Sequence, residues 1–287
     1  MTTIGDALRL GRAQLQHSPS PALDARLLLA HVLRRDHAYL IAHGDESLGA
    51  EAAADYEQLL TRAAADEPIP YLIGHAPFMG LDFVVSPAVL IPRPETEQLV
   101  ETAVAWGRER RPIRIVDVGT GSGCIAVSLA RGLPEAAVIA VDVSAGALAV
   151  AAINATRHAP GRIDFAQADL LSALSPGFDL IAANLPYIAG HEWPTLPIGV
   201  KSYEPTVALL GGADGLSLIR ELLPQAAARL RPGGLALLEI GWQQGEAVAD
   251  LARASFPEAE VSVLADFAGH DRIVMIQAGM DQGRPNT

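Results

Sequence analysis

Asn184, Leu185, Pro186 and Tyr187 form a short turn directly after a run of buried-type residues. The side-chain amide oxygen of Asn184 and the backbone carbonyl of Leu185 are two hydrogen-bond acceptors. Acceptors directed at the two N–H groups of an amide or an exocyclic amine favour the pyramidal, partly positive nitrogen of an alkylation transition state. The Asn184 oxygen and the Leu185 carbonyl are therefore candidate catalytic groups, and Tyr187 is a candidate to stack on the planar acceptor group.

A glycine-rich turn, Gly119-Thr120-Gly121-Ser122-Gly123, follows an earlier strand-like run. Glycines let a backbone approach a ligand closely and adopt positive φ. A dinucleotide fingerprint would need its third glycine at position 124, where the chain has Cys124, so pyrophosphate binding is the weaker interpretation. Asp142 ends the next strand, where a carboxylate can accept both hydroxyls of a ribose. Asp169 ends the following strand and is a candidate acceptor for an adenine amino group.

Each of these features is weak alone, because glycine turns are common and an Asp after a strand is more often a helix cap. At three successive strand ends they describe a pocket for an adenosine without a second phosphate, which indicates S-adenosylmethionine (SAM). Methyl transfer from a sulfonium is an in-line displacement, so the nucleophile and the methyl carbon must be held about 3 Å apart. Beside such a pocket, catalysis is favoured for Asn184–Tyr187 over a turn that merely closes a strand.

Helical and strand-like patterns alternate along the last two thirds of the chain. The predicted helices are Glu95–Gly107, Gly123–Arg131, Ser144–Thr156 and Leu216–Leu230, and the predicted strands are Ile113–Val118, Ala137–Val141, Ile163–Ala166, Leu180–Asn184 and Leu235–Ile240. Buried-type strands separated by helices indicate an α/β fold with a parallel sheet covered on both faces. The last strands, Val261–Leu264 and Arg272–Ile276, lie too close together for a helical crossover. We expect them to form an antiparallel hairpin at one end of the sheet.

The first part of the chain has helical periodicity and no constellation of groups that could perform chemistry. Ser20 followed by Pro21 opens a helix, and Asp36 and Ser47 start two further segments. Prolines and glycines exclude a helix between residues 67 and 94. We expect an N-terminal helical recognition domain over residues 1–73, a connector with a β-hairpin over 74–93, the sheet domain over 94–278 and a loose tail over 279–287.

The composition excludes several classes of protein. The net charge of −12 argues against gripping nucleic acid through its phosphates. The single cysteine, Cys124, excludes an intramolecular disulfide, and the eight scattered histidines imply no metal. Cys124 is interpreted as a small packing residue, because no histidine lies nearby in sequence to act as its base. Neither a signal peptide nor an apolar run of about 18 residues is present, so we expect a soluble cytoplasmic protein with no membrane partner.

The motifs are similar to those of the HemK-type peptide chain release factor glutamine methyltransferases, a branch of the class I SAM-dependent methyltransferases. The resemblance covers nearly the whole chain and implies a Rossmann-like sheet with a small N-terminal helical domain. The matching stretches are Val89-Leu90-Ile91-Pro92-Arg93-Pro94-Glu95-Thr96-Glu97, Gly119–Gly123, Asn184–Tyr187, Tyr203-Glu204-Pro205 and Glu239-Ile240-Gly241-Trp242-Gln243-Gln244-Gly245-Glu246. The first stretch is the most specific, since the Asn-Pro-Pro-Tyr theme is shared with adenine-modifying DNA methyltransferases.

The resemblance implies an activity in translation termination, namely methylation of the glutamine side-chain amide in the Gly-Gly-Gln loop of bacterial class I release factors. In that family the N-terminal helical domain helps to engage the release factor. By position, Asn184 to Tyr187 grip the glutamine, and Glu239 is either near the site or the buried partner of the Gly241–Trp242 turn. The residues implied on the SAM side are Gly119 to Gly123, Asp142, Leu170 at the adenine edge, Asn184, Arg93, Pro94, Glu95 and Thr96.

Other functions stay open at this level. A glutamine methyltransferase for a ribosomal protein would share every catalytic residue and differ only in its substrate-facing helical domain. An adenine-specific nucleic-acid methyltransferase fits the Asn184 motif, but the acidic balance and the lack of a basic stripe count against it. A regulatory module in which Leu185 marks lost catalysis would bind SAM without transferring a methyl group. A nicotinamide dehydrogenase is the weakest alternative.

Leu185 departs from the Asn-Pro-Pro-Tyr pattern, because it stands where that pattern has its first proline. A leucine supplies the same backbone carbonyl, and Pro186 still biases Leu185 toward the extended region. The leucine lacks the fixed φ of a proline and adds an N–H group that needs a partner. We therefore expect much of the loop shape to survive, with less rigidity.

We predict that the native chain methylates a release factor despite this leucine. The reason is that the catalytic acceptor at position 185 is a carbonyl oxygen, which both residue types provide. Turnover on a release factor, measured for the native chain and for Leu185→Pro, checks the prediction. An inactive native chain that the proline variant rescues would contradict it.

Overall fold

Two compact units make up the described part of the chain. The computed structural model describes residues 3–110 and 113–280, so most of the predicted tail over 279–287 lies outside the described residues. One unit contains the residues up to His75 together with Pro197–Tyr203, and the other contains Ala76–Leu196 and the residues from Glu204 onward. Across the described residues, no helix combines the length and the apolar character that a membrane crossing requires.

The first unit is built mainly from short helices near the start of the chain. These are α1 (Ile4–Gln14), α2 (Pro21–Leu33), α3 (His37–Ala42), α4 (Ala50–Ala64) and α5 (Ile69–Ile73). The predicted start at Asp36 is confirmed, because its side chain accepts a hydrogen bond from the Tyr39 N–H. Ser20 precedes α2 as predicted but makes no side-chain cap hydrogen bond. The start predicted at Ser47 is wrong, since α4 begins at Ala50.

Tyr56 on α4 organises the interior of this helical unit. Its hydroxyl donates a hydrogen bond to the Ala25 carbonyl on α2, with an oxygen to oxygen distance of 3.0 Å. A Cβ atom at Gly11 of α1 would lie 2.1 Å from the same hydroxyl, so only glycine fits there. Burial raises the pKa of Tyr56 above its usual range, which keeps the hydroxyl a neutral donor.

A hairpin forms in the connector, as predicted. Strands β1 (His75–Phe78) and β2 (Leu81–Val84) form a two-stranded sheet. Met79 and Gly80 between them have φ values of +49° and +70°, which are typical of a two-residue hairpin turn. The hairpin is fastened at Val84, whose N–H and carbonyl both hydrogen-bond to the side chain of buried Asn154 at 2.7 and 2.9 Å.

The second unit contains a seven-stranded sheet. Its strands are β3 (Arg114–Val118), β4 (Ala137–Asp142), β5 (Ile163–Gln167), β6 (Phe178–Asn184), β7 (Leu230–Glu239), β8 (Glu260–Ala265) and β9 (Asp271–Gln277). Their spatial order is β5-β4-β3-β6-β7-β9-β8. The pairs are parallel except for those of β9 with β7 and β8. This confirms both the mostly parallel α/β sheet and the antiparallel hairpin at one end.

The expectation that no helix forms between residues 67 and 94 is wrong, because α5 lies within this range. Pro70 stands in the first turn of α5, where a proline is tolerated since the N–H it lacks would have no partner in the helix.

Helices cover both faces of the sheet. They are α6 (Thr96–Gly107), α7 (Cys124–Gly132), α8 (Ala145–His158), α10 (Ser217–Ala227) and α11 (Gly245–Ser255), while α9 (Ile198–Tyr203) belongs to the helical unit. Alternate residues of β6 enter opposite cores, with Leu180 on one side and Ile181 on the other. Both faces are therefore buried, as in parallel sheets generally. Helices α9 and α11 were not predicted, because α9 is short and α11 is rich in alanine and polar residues.

The winding of the sheet reverses around β3. From β3 the chain proceeds outward to β4 and β5, and then crosses to β6 on the other side of β3. In open α/β sheets, ligands bind beyond the carboxyl ends of the strands at such a reversal. The predicted cofactor and catalytic residues follow β3, β4, β5 and β6, so this topology places their backbone attachments along one edge.

We predict that Asn154→Ala destabilises the second unit. The Asn154 amide also donates to the Ser122 carbonyl at 2.9 Å, so alanine leaves three backbone groups without this partner. Each unsatisfied buried group costs about 1–3 kcal/mol. Urea unfolding of the variant and the native chain measures the loss, and Thr156→Ala on the exposed side of α8 is the control. Equal unfolding midpoints for Asn154→Ala and the native chain would contradict the prediction.

Candidate active site

The glycine-rich turn after β3 is shaped by backbone conformation and by close packing. Gly119, Gly121 and Gly123 have φ values of +72°, +54° and +79°, a region that disfavours other residues. The Gly119 N–H donates to the Val141 carbonyl at 2.8 Å, which holds the turn against the end of β4. A Cβ atom at Gly123 would lie 3.0 Å from the Cβ of Ala151 on α8. The turn therefore needs these glycines whatever ligand it meets.

Asp117 braces the same turn from inside the sheet. Its Oδ2 accepts hydrogen bonds from the Thr120 hydroxyl at 2.6 Å and from the Ala126 N–H at 3.1 Å. Burial raises the pKa of Asp117 to about 7, against the lowering effect of the Thr120 hydrogen bond. Asp117 was not predicted as a functional residue. The signal for it is an acidic residue in the middle of an otherwise apolar strand.

Asp142 links the ends of two neighbouring elements. Its Oδ2 accepts from the Gly121 N–H at 2.9 Å, and its Oδ1 accepts from the Ser144 N–H at 2.8 Å. The carboxylate thus joins the glycine-rich turn to the N-terminus of α8. A carboxylate oxygen has two lone pairs, so each oxygen keeps the capacity to accept a further donor.

The turn after β5 presents Asp169 and Leu170. Leu170 has a φ of +50°, an uncommon value for a leucine, and only 7% of its surface is exposed. The next N–H group, that of Leu171, donates to the Gln225 side chain at 3.0 Å and fixes the turn to α10. Unfavourable backbone conformations of this kind are concentrated at ligand sites. Asp169 is exposed, and its side chain borders the same cavity as Leu170.

The turn after β6 is held by hydrogen bonds from behind. The Gln244 side chain donates to the Tyr187 carbonyl at 3.0 Å. The Ile188 N–H donates to the Leu209 carbonyl at 3.0 Å, and the Gly211 N–H donates to the Ile188 carbonyl at 2.9 Å. Three bonds from two separate segments therefore fix the residues that follow Leu185.

Leu185 itself packs on the glycine-rich turn. It is 5% exposed and belongs to the apolar core on one face of the sheet. A Cβ atom at Gly119 would lie 2.9 Å from the Leu185 Cδ2, so the leucine fills the space above that glycine. This packing restricts the residue in place of the missing proline ring. It explains physically how the turn accommodates a leucine.

Glu239 lies beside Asn184, which is the first of the two placements that the sequence left open. The two residues are paired in the parallel ladder of β6 and β7, and Glu239 is 2% exposed. Asn184 Nδ2 donates to the Thr96 hydroxyl oxygen at 3.1 Å. Burial raises the pKa of Glu239 to about 7, while the neighbouring Thr96 and Asn184 side chains and the charge of Arg272 oppose this shift.

Glu204 supports a wall of the cavity and was not predicted individually. It is 4% exposed, forms an ion pair with Arg93, and accepts a hydrogen bond from the Ile91 N–H at 3.3 Å. The connector segment over residues 88–93 is thereby fixed as a wall of the cavity. The signal in the sequence was an acidic residue between Tyr203 and Pro205.

One cavity in the second unit brings most of the predicted site residues together. The predicted residues that line it are Arg93, Thr96, Gly119, Thr120, Gly121, Ser122, Asp142, Asp169, Leu170, Asn184, Leu185 and Pro186. Pro94, Glu95, Gly123 and Tyr187 do not line it. Apolar residues with no chemical signature complete the walls, among them Ala88, Val89, Leu90, Val143, Val207 and Leu218.

Cys124 also borders this cavity, where burial raises the pKa of its thiol to about 12. The thiol is therefore protonated at neutral pH and is not a nucleophile. Within residues 3–110 and 113–280, His, Cys, Asp and Glu form no group suited to a metal ion. The cavity thus offers apolar walls, carboxylates at two strand ends, and amide and carbonyl oxygens at a third. Such an arrangement suits binding and positioning rather than metal chemistry or nucleophilic catalysis.

Known proteins resemble the chain over both units. Residues 6–74 match the family model described as the PrmC N-terminal domain, and residues 97–196 match the methyltransferase small domain. A release factor glutamine methyltransferase of Moorella thermoacetica is 45% identical over 271 residues, which cover 94% of this chain and 95% of that protein. One from Koribacter versatilis is 42% identical and covers 90% and 91% respectively.

A solved structure shares the fold. The T. thermophilus 16S rRNA N2 G1207 methyltransferase, in complex with AdoMet and guanosine, is 20% identical with a TM-score of 0.51. The match covers 71% of this chain and 49% of that chain. At such low identity the similarity concerns the fold alone.

We predict that Asp117→Asn removes a pH-dependent loss of stability. The pKa of Asp117 is raised from its ordinary 3.8 to about 7 in the folded protein. The folded state therefore binds this proton more tightly than the unfolded state, so the native chain loses stability as the pH rises from about 4 to about 7. Asparagine does not titrate, and its amide oxygen can still accept from Thr120.

The measurement is thermal unfolding of both proteins between pH 5 and pH 8. The stability of the variant relative to the native chain is expected to increase over this range, by on the order of 2 kcal/mol. Glu239 titrates in both proteins, so its contribution cancels in the difference. A difference that stays constant with pH would refute the assignment.

Proposed function

The chain belongs to the release factor glutamine methyltransferases, and from this premise we propose that it transfers a methyl group from SAM to a glutamine side-chain amide of a bacterial peptide chain release factor. The similarity extends over nearly the full length of relatives with that activity. It confirms the HemK-type resemblance carried by Gly119–Gly123 and Asn184–Tyr187. The name of these relatives indicates the substrate, and the residues of the cavity indicate the chemistry.

The observation that carries the proposal is the shared cavity. Gly119 and Asn184 follow directly on Val118 and Ala183, which are paired in the parallel register of β3 and β6. The glycine-rich turn Gly119–Gly123, which we call the cofactor cradle, and the turn Asn184–Tyr187, which we call the amide-binding corner, thus begin on neighbouring strands. Such adjacency is what an in-line transfer between two bound molecules needs, because the reacting atoms must lie about 3 Å apart.

The residues of the cavity fit SAM on three counts. The positive φ of Gly119 and Gly121 lets a ligand approach the backbone, Asp142 retains acceptor capacity for ribose hydroxyls, and the walls beside Leu170 are apolar. The turn offers few donors for a second phosphate, and the third glycine of a dinucleotide fingerprint is absent. When bound, SAM supplies an electrophilic methyl carbon on a sulfonium centre.

Asn184 and Leu185 hold the acceptor nitrogen. An amide nitrogen is a poor nucleophile because its lone pair is delocalised into the carbonyl. Two acceptors, the Asn184 Oδ1 and the Leu185 carbonyl, would bind its two N–H groups and favour a pyramidal nitrogen with developing positive charge. Rigid acceptors stabilise that charge without rearrangement at the moment of reaction. Water suffices to take the proton, because an alkylated cationic nitrogen is acidic.

Tyr187 and the helical unit contribute to the substrate side of this proposal. Tyr187 follows the two acceptors in the braced turn, and we assign its half-buried ring to packing against the glutamine amide plane. The residues matching the PrmC N-terminal domain form the helical unit, which we assign to recognition of the release factor. The acidic net charge of −12 favours a protein substrate over a nucleic acid.

We predict that Asn184→Ala abolishes methyl transfer while SAM binding is largely retained. The alanine removes one of the two acceptors for the glutamine N–H groups but leaves the glycine-rich turn and Asp142 in place. Mass spectrometry of a release factor after incubation with enzyme and SAM detects a gain of one methyl group on its glutamine. Calorimetry measures SAM binding.

Asp142→Ala is the matched control for this experiment. It removes the ligand-facing carboxylate and two hydrogen bonds of the cradle, so it is expected to weaken SAM binding itself. If Asn184→Ala lost SAM binding together with activity, Asn184 would be structural rather than catalytic. If the native chain added no methyl group to a release factor, the proposed substrate would be wrong.

A further inference from the structure

Three side chains lie together at the amide-binding corner. Asn184 Nδ2 donates to the Thr96 hydroxyl oxygen at 3.1 Å. Glu239 is paired with Asn184 in the ladder of β6 and β7, and the Thr96 and Asn184 side chains lie close enough to lower its pKa. Thr96 and Glu239 are each 2% exposed. Thr96 and Asn184 border the cavity, whereas Glu239 does not. Glu239 is therefore placed to act on the substrate through the other two.

A second observation concerns the outer oxygen of this carboxyl group. The Glu239 Oε2 is buried and has no hydrogen-bond partner among the described residues. A buried acceptor left unpaired is costly, and a carboxylate is costlier to bury than an amide. The strand pairing of Glu239 with Asn184 makes no use of the charge, so packing alone does not account for a glutamate at this position.

An ionised Glu239 would determine which way the Asn184 amide faces. A carboxylate only accepts hydrogen bonds, so a Thr96 hydroxyl that bonds to Glu239 must donate its single proton to it. The Thr96 oxygen then has only lone pairs left for Asn184 and selects the NH2 end of that amide. The Asn184 Oδ1 is consequently the end left for the substrate.

We propose that Glu239 is a positioning residue, whose carboxylate acts through Thr96 to keep the Asn184 oxygen directed at the glutamine amide. The proposal rests on the proposed function for the identity of that amide. A neutral Glu239 would carry its own O–H donor, and Thr96 would be free to donate to Asn184. The NH2 end could then turn toward the substrate, where it would face two N–H groups and repel them.

The charge state of Glu239 is consequently coupled to activity. Burial raises its pKa to about 7, so the carboxyl group ionises near neutral pH. The titratable and charged groups that face it are Glu95 before α6, Arg272 on β9, Tyr187 after β6 and Cys124 on α7. Burial holds Tyr187 and Cys124 protonated, since it raises the pKa of both. Glu239 is therefore the group of this cluster whose own pKa is brought near neutrality.

Nuclear magnetic resonance of the unliganded protein tests the orientation directly. The chain has only three asparagines, Asn154, Asn184 and Asn286, so selective ¹⁵N-asparagine labelling gives three pairs of side-chain NH2 signals. The pair that is lost in Asn184→Ala belongs to Asn184. We expect the Asn184 signal to shift with pH in the native chain and to lose this titration in Glu239→Gln. Asn154 donates to two backbone carbonyls and is the internal control that does not shift.

Kinetics provide the functional readout. At saturating SAM, the native kcat on a release factor is expected to rise with pH as Glu239 ionises. Glu239→Gln is expected to lower kcat at pH 8 by about tenfold or more, because even a small misplacement of the Asn184 acceptor lowers the rate strongly. In this variant kcat should lack the increase with pH that the ionisation of Glu239 causes, and the KM for SAM should stay unchanged. Glu101→Gln on the exposed side of α6 is the matched control.

The Thr96 link has its own pair of variants. Thr96→Val keeps the shape of the side chain but removes the hydroxyl, whereas Thr96→Ser keeps the hydroxyl. The positioning role predicts that kcat falls in Thr96→Val and is largely retained in Thr96→Ser. Equal losses in both variants would mean that packing, not the hydrogen bond, matters at this position, and would overturn the proposal.

Stability separates positioning from a merely structural role. An ionised buried carboxylate destabilises the folded state, so Glu239→Gln is expected to have a Tm at pH 8 at least as high as the native chain. A structural role predicts instead that Tm and kcat fall together.

Two results would overturn the proposal. One is an Asn184 signal that changes neither with pH nor on substitution of Glu239, and the other is a native-like kcat in Glu239→Gln. If the native chain failed to methylate a release factor, only the proposed substrate would fall, because the amide titration needs no substrate.

Discussion

The parallel pairing of β3 with β6 is the constraint on which the rest of the site depends. Val118 lies opposite Ala183, so the two turns that follow, at Gly119 and at Asn184, emerge side by side. The Leu185 side chain then packs into the space above Gly119. A substituent on that glycine would displace the leucine, and a different register would separate the two turns. The glycine-rich turn and the turn at Asn184 are therefore one structural feature rather than two.

Buried polar side chains give the loops of this site their rigidity. Asp117 holds the glycine-rich turn, Asn154 ties that turn to the hairpin, and Glu204 fixes the connector wall. Each side chain satisfies backbone groups that would otherwise be buried without partners. Loops with this support keep a fixed shape, which electrostatic catalysis requires of its acceptors. Two of the carboxyl groups near the cavity have a raised pKa because burial disfavours their charge.

The segment between β6 and α10 serves both compact units. It starts with the corner at Asn184, contributes Pro197–Tyr203 to the helical unit, and returns to the sheet unit at Glu204. The Tyr203 hydroxyl donates to the Ala65 carbonyl within the helical unit, while Glu204 pairs with Arg93 in the sheet unit. Two consecutive residues thus anchor the chain in different units. The segment that we assign to recognition of the release factor and the turn that we assign to its glutamine are therefore connected through this short stretch of chain.

The sequence by itself determined the alternation of helices and strands, the hairpins and the motifs at Gly119–Gly123 and Asn184–Tyr187, because these depend on local periodicity, glycine and proline. It also determined the family, since the motifs extend from Val89 to Glu246. It did not reveal the roles of Asp117, Glu204 and Glu239, or the apolar walls of the cavity. Those residues act on partners far away in the chain, and only the register of the sheet decides which of them meet. An isolated glutamate looks the same in sequence whether it faces water or a buried amide, so its pKa and its role are properties of the tertiary structure.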